Sequence, residues 1–217
     1  KRKVSLFTSV CAMEYGDCKY NLIDAPGLFD FAAGMHEAVR AADSAVIVLS
    51  SKSGLNVGAQ KAHDLCVKNG LPHAFFIGKL DSAHAAYNKV LNSLTGAFGA
   101  QICPVIAPFY EADHLKGYVD LVAGKAYVYA DGKRNEVPLP LDSGIGGLFD
   151  LLNEAVASQD EALMEKYFGG EEFTADEVIS ALKTGFLAGD LYPVFCGVGQ
   201  TGAGVIPTLD TLYVKSV

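Results

Sequence analysis

Three short, almost continuous apolar runs, at residues 45–49, 73–77 and 191–195, restrict this chain more than any other feature in it. Each has the length of a strand covered on both faces and is too short for a helix. Apolar residues at helical spacing lie between and around them, over residues 35–42, 59–69 and 85–94, and the middle stretch stops at Gly70. Strands alternating with short helices predict right-handed crossovers and a mostly parallel sheet, the α/β layer architecture. Ahead of this unit, residues 4–10 and then Lys19-Tyr20-Asn21-Leu22-Ile23-Asp24 read as two strands joined through a polar turn at Gly16-Asp17. The second strand has to end at Asp24, because Ala25-Pro26-Gly27 cannot extend it.

After Ile102 the rhythm changes. Residues 105–110, 117–122 and 126–129 are short strand candidates, and Asp131-Gly132 is a hairpin turn signal. Residues 149–167 and 174–187 carry helical spacing, the latter opening on Thr174-Ala175-Asp176-Glu177, a capping box. The run at 191–195 and a closing helix from Val205 return to the first pattern. Residues 103–185 are therefore predicted to be a mixed α+β subdomain inserted into an α/β core made of residues 1–102 and 186–217. A length of 217 residues suits one core plus such an insertion.

Half the residues are apolar and only 19% are charged, which excludes a disordered chain. No apolar run approaches the roughly 18 to 20 residues of a bilayer helix, so no membrane span is expected. With 17 Lys+Arg against 25 Asp+Glu, the net charge of −8 argues against a broad basic surface and against direct, sequence-specific nucleic-acid binding by this domain. Cys11, Cys18, Cys66, Cys103 and Cys196 are odd in number and include no Cys-x-x-Cys pair, which suits a reducing cytoplasm better than a disulfide or zinc framework. The chain opens on Lys1-Arg2-Lys3-Val4-Ser5-Leu6, without Met and inside a strand-like pattern, and is expected to be cut from a longer protein.

In a parallel sheet, ligands bind beyond the carboxyl ends of the strands. Three such ends carry unusual residues: Asp24-Ala25-Pro26-Gly27, Gly78-Lys79-Leu80-Asp81 and Cys196-Gly197-Val198-Gly199. A carboxylate at a strand end can hold water on Mg²⁺, and a glycine after a turn lets backbone N–H approach a phosphate; an Asp before Pro-Gly is also an ordinary turn. An Asp carboxylate can accept two N–H bonds from a guanine edge while a Lys stem packs over the ring, although both residues at a loop tip are often simply solvated. The third end matches the dinucleotide fingerprint G-x-G-x-x-G over residues 197–202. The context fails, because no acidic residue follows about 20 positions on and Pro207 interrupts the early helix.

Taken with Asn21-Leu22-Ile23-Asp24-Ala25-Pro26-Gly27 followed by Asp30-Phe31, with Leu163-Met164-Glu165-Lys166-Tyr167-Phe168-Gly169-Gly170-Glu171-Glu172 and with Gly117-Tyr118-Val119-Asp120-Leu121-Val122, the whole chain resembles the GTP-binding domain of translation elongation factor G. The resemblance implies a three-layer P-loop GTPase-like fold with a mostly parallel sheet, here lacking its first strand and phosphate loop. It also implies the insertion subdomain. It places Asp24 and Gly27 at Mg²⁺ and the terminal phosphate, Ser5 at the switch hydroxyl that reaches Mg²⁺, Lys79 and Asp81 on guanine, and backbone around Gly197 and Val198 over the base edge. The cofactors implied are GTP and Mg²⁺, the partner the ribosome, the compartment the cytoplasm, and the activity GTP hydrolysis in translocation. The alternative is a ribosome-associated paralogue that binds GTP without hydrolysing it.

The departures from that family are specific. Leu28 stands where the family has the water-orienting His, and losing such a group typically costs ~10² to 10⁴ in rate. Gly78 stands where the base loop begins with Asn, Lys3 replaces a glycine, and no G-x-x-x-x-G-K-[ST] occurs in residues 1–217. Without that nest of N–H groups and its Lys, nucleotide binding by these residues is expected to be weak. His36, His63, His73, His84 and His114 show no metal-ligand spacing and are expected at the surface or at helix ends. Asp160-Glu161 and Glu171-Glu172 are expected on solvated faces and Cys196 as a small buried residue.

Overall fold

The computed structural model describes residues 4–111, 114–130, 133–140 and 143–216; the turn expected at Asp131-Gly132 lies outside them. The chain enters as a hairpin, β1 (Ser9–Tyr15) and β2 (Cys18–Asp24), paired antiparallel from Ser9 opposite Asp24 to Tyr15 opposite Cys18. Gly16 closes the two-residue turn with φ +58°, a conformation glycine adopts without steric cost. The first strand starts later than the apolar pattern suggests, and Val4 and Phe7 are exposed.

Helix α1 (Ala32–Ala41) leads to β3 (Ala45–Ser50), α2 (Val57–Lys68), β4 (His73–Gly78) and α3 (Tyr87–Phe98). The strand β5 (Ile102–Pro104) follows at once, and β10 (Tyr192–Cys196) completes a four-stranded parallel sheet of order β3-β4-β10-β5. The apolar runs supply three of its four strands: Ala74, Phe75, Ile77, Val194, Phe195 and Cys196 have no exposed surface. Helix α3 lays Tyr87, Val90, Leu91 and Leu94 against the core, the i, i+3, i+4, i+7 stripe of an amphipathic helix.

The run at 45–49 is not covered on both faces. Ile47 and Leu49 are buried, while Val48, on the opposite face, is 70% exposed and Val46 is also exposed. A continuous apolar run conceals the two-residue alternation that separates a strand's faces. On its outer side β3 pairs with no other strand among the described residues, and the β1–β2 hairpin forms a sheet of its own.

Residues beyond β5 build an antiparallel meander, β6 (Ile106–Glu111), β7 (His114–Asp120), β8 (Lys125–Ala130) and β9 (Lys133–Val137). Val105 joins the two sheets, its N–H donating to the Val194 carbonyl and its own carbonyl accepting from the Leu121 N–H. Gly117 is required by packing, since a Cβ there would sit 2.1 Å from the Tyr127 carbonyl oxygen. The helical stretch expected over 149–167 is two helices, α4 (Ser143–Ala157) and α5 (Glu161–Phe168). Asp160, expected to be merely solvated, caps the second by accepting the Ala162 N–H at 2.7 Å. The capping box forms as expected at α6 (Ala175–Ala188), where Thr174 and Glu177 exchange both bonds. Pro207 does not interrupt α7 (Val205–Ser216), because in the first turn its missing N–H has no intrahelical partner to lose.

Tyr15 at the hairpin tip donates its hydroxyl to Asp210 on α7 at 2.5 Å, and Arg134 on β9 reaches the other carboxylate oxygen at 3.2 Å. The hydrogen bond to the Asp210 carboxylate, and after it burial of the phenol, push the Tyr15 pKa up to about 12. The hairpin is thereby tied to both the closing helix and the antiparallel sheet.

Candidate functional site

Register fixes the rim. Ser50 lies opposite Gly78 and Cys196 opposite Ile77, so β3, β4 and β10 release their chains at one level along one edge. The loops that follow are stitched together there. The Gly197 N–H donates to the Ile77 carbonyl at 3.0 Å and the Ser51 N–H to the Gly78 carbonyl at 3.0 Å. Helix α2 starts on the same edge, with Asn56 capping it by accepting the Ala59 N–H at 2.9 Å.

The hairpin, a sheet of its own, leads into Gly27, which lies beside the first turn of α2. A Cβ built on Gly58, in the first turn of α2, would lie 3.4 Å from the Gly27 carbonyl oxygen. Asp24 is the last residue of β2 and is exposed. Its carboxylate accepts the Ser5 hydroxyl at 2.9 Å, so the two oxygen ligands expected for Mg²⁺ are in contact. Gly27 is exposed, a Cβ on it would meet nothing within 4 Å, and its φ lies outside the left-handed region. Neither packing nor backbone geometry therefore demands a glycine at this position. Leu28 follows, 47% exposed, beside a small cleft shared with Pro26, Met35, Gly58 and Lys61.

The second loop presents Lys79 and Asp81 outward on either side of Leu80, which is buried. Lys79 has φ +61°, uncommon for a residue with a side chain. Neither charged side chain enters an ion pair among the described residues. Gly78 has room for a side chain, since a Cβ there would make only ordinary contacts with Leu49 and Phe76.

At the third loop the Gly197 N–H is taken by Ile77 and the Val198 N–H by the Ala203 carbonyl at 2.9 Å. Gly197 is packed tightly, a Cβ on it falling 2.5 Å from the Ala203 carbonyl oxygen. These two residues form the floor of the loop, while Gly199 and Gln200 are exposed above it. Cys196 beneath is fully buried, as expected, and burial holds its thiol far above the usual range, so no nucleophilic thiolate is present.

The histidine reading needs correction at two positions. His63 on α2 and His73 at the start of β4 are buried, with His63 Nδ1 2.8 Å from His73 Nε2 and His73 Nδ1 3.2 Å from the Leu71 carbonyl oxygen. Phe75, Phe98 and Tyr192 surround the pair. The signal was available: Ala59, His63 and Cys66 are the buried positions of α2, spaced four and three apart. No cluster of three metal-ligating side chains exists among the described residues.

Two loops thus share one sheet edge, one presenting Lys79 and Asp81 outward and the other a glycine-rich turn, and Gly27, after the separate hairpin, lies beside the first turn of α2. Over residues 1–215 the chain matches the elongation factor Tu GTP binding domain. It is similar to a solved crystal structure of a protein from Thermus thermophilus, with a TM-score of 0.87 and 31% identity, over 99% of this chain and 32% of that one. The chain therefore spans about a third of that protein's length.

Proposed function

The chain belongs to the elongation factor Tu GTP binding domain family, the guanine-nucleotide-binding domain of translation factors, and from that premise we propose that it serves an elongation-factor-G-like GTPase acting on the ribosome in translocation. The protein that carries it works in the cytoplasm. No helix among the described residues is long and apolar enough to cross a membrane. In this reading residues 1–102 and 186–217 are the nucleotide-binding core and 103–185 the inserted subdomain.

The reading is supported by the two loops that share one sheet edge and by the nearness of Gly27 to the start of α2, each suited to a different part of a purine triphosphate. Ser5 and Asp24 supply adjacent hard oxygen donors, which fit a Mg²⁺ ion that keeps several waters and takes its remaining ligands from phosphate. Bound there, the ion would offset charge on the terminal phosphates. Gly27 brings its backbone close to the last phosphate, which accounts for a glycine that the fold itself does not need. Asp81 accepts from the guanine edge, Lys79 covers the ring with its stem, and Gly197 and Val198 hold the loop that closes over the base.

Ribosome-stimulated GTP turnover by the whole protein tests this function. The expected result is turnover that depends on added ribosomes and is lost in Asp24→Asn with folding intact. Turnover indifferent to ribosomes, in a protein that still binds guanine nucleotide, would refute the translational role.

A further inference from the structure

We propose that Ser51 is the positioning residue of the base-recognition loop, holding Lys79 and Asp81 in place where Gly78 offers no side chain to do so. This inference rests on the assignment of residues 78–81 to the base and adds the residue that shapes that loop.

Ser51 follows β3 and is 1% exposed, one of very few buried polar residues. Every polar group it has is directed at the segment 78–86. Its N–H donates to the Gly78 carbonyl at 3.0 Å, its hydroxyl donates to the Lys79 carbonyl at 2.9 Å, and its carbonyl accepts the Ala86 N–H at 3.2 Å. The loop is therefore gripped at its first residues and at the residue that opens α3. Between those points it contains two side-chain-bearing residues in the left-handed region, Lys79 at φ +61° and His84 at φ +65°. Such conformations persist where surrounding bonds over-determine them. Leu80, buried between Lys79 and Asp81, anchors the loop from below, so both charged side chains face out while the backbone is held at the rim.

The hydroxyl bond can be removed without stranding a buried acceptor, because the Lys79 carbonyl also accepts the Ser82 N–H at 3.1 Å. Ser51→Ala should therefore loosen the loop and leave the fold intact. Hydrogen exchange of the chain reads this directly. The Ser82, Ala85 and Ala86 amides, which donate to Lys79, Ser82 and Ser51, are expected to exchange about five- to tenfold faster, as loss of one buried hydrogen bond implies. The Ala126 and Val128 amides of β8, a strand that pairs with β7 and β9, should not change. Ser51→Thr, which keeps the hydroxyl, should restore slow exchange. Unchanged exchange at those three amides, or acceleration spread over the whole molecule, would overturn the proposal.

A second measurement separates this inference from the functional reading beneath it. In the whole protein, with Mg²⁺–GDP and Mg²⁺–ADP as probes, Ser51→Ala should bring the ratio of the two affinities toward unity by a similar factor, and Ser51→Thr should retain it. A loosened loop with an unmoved ratio would keep Ser51 as the pin and remove the loop from base recognition.

Discussion

Between pH 7.5 and 5.0 the chain should lose about 2 kcal/mol of stability through His73 alone, with His63 adding to the loss. The Leu71 carbonyl can only accept, so His73 Nδ1 carries its proton, leaving Nε2 as the acceptor that faces His63 Nδ1–H. A proton added at His73 Nε2 would oppose that N–H. Burial among aromatic rings penalises the charged form further and brings the His73 pKa down from 6.5 to about 4. His63 is lowered as well, its desolvation outweighing the attraction of Asp64.

Both imidazoles are free to take protons near pH 6.5 once the chain unfolds, so below that pH the unfolded state binds more protons. Stability is then complete above about pH 7.5 and falls as the pH drops through 6.5 toward 4. For a chain of this size about 2 kcal/mol corresponds to roughly 4–8 °C in Tm. The ion pair of Glu177 with Lys166 does not contribute to this interval. Lys166 first of all, with Thr174, holds the Glu177 carboxyl at about 2, so its stabilisation is lost only below the ordinary carboxylate pKa of 4.5. Thermal unfolding at the two pH values checks the attribution. In the double variant His63→Leu, His73→Phe most of the decline should vanish, and an equal decline there would assign it elsewhere.

Leu28→His should raise ribosome-stimulated GTP turnover of the whole protein by ~10²-fold or more, while Leu28→Ala leaves it unchanged. Leu28 follows the glycine assigned to the terminal phosphate and is half exposed beside the cleft of Pro26, Met35, Gly58 and Lys61. A hydrocarbon there can neither donate to nor accept from an attacking water, whereas an imidazole can do both. An exposed position tolerates substitution within about 0.5 kcal/mol, so the change read is one of chemistry and not of folding. A histidine variant no faster than the parent would show that this position does not limit the rate.

Three of the four strands of the parallel sheet were legible because they are dense apolar runs, whereas the three-residue β5 was not; α2 and α6 were legible because their ends and spacing agree. What escaped the sequence depends on contacts between distant elements. β9 (Lys133–Val137) is polar except for its last residue, Val137, and becomes a strand only because β8 is there to pair with it. The exposure of Val46 and Val48 follows from which elements flank β3, which no residue of the run encodes. His63 and His73 meet because α2 packs over the parallel sheet in one register. Among candidate site residues, the Asp24 and Gly27 pair and the Lys79 and Asp81 pair could be named from spacing at strand ends. Ser51 could not, since a serine after an apolar run looks like any turn residue until its hydroxyl is seen to reach Lys79. The N–H groups of Gly197 and Val198 are likewise spent on Ile77 and Ala203, which only the fold reveals.

One titration tests the shared site most directly: backbone amide resonances of the 217-residue chain followed as Mg²⁺–GDP is added. With no phosphate-loop motif in the sequence, the midpoint should be millimolar. Amides of Asp24, Ala25, Gly27 and Leu28, of residues 79–82 and of residues 197–202 should all move, on a single isotherm. Shifts confined to one loop, separate midpoints for the three, or none at saturating nucleotide would contradict the claim that these loops hold one ligand between them.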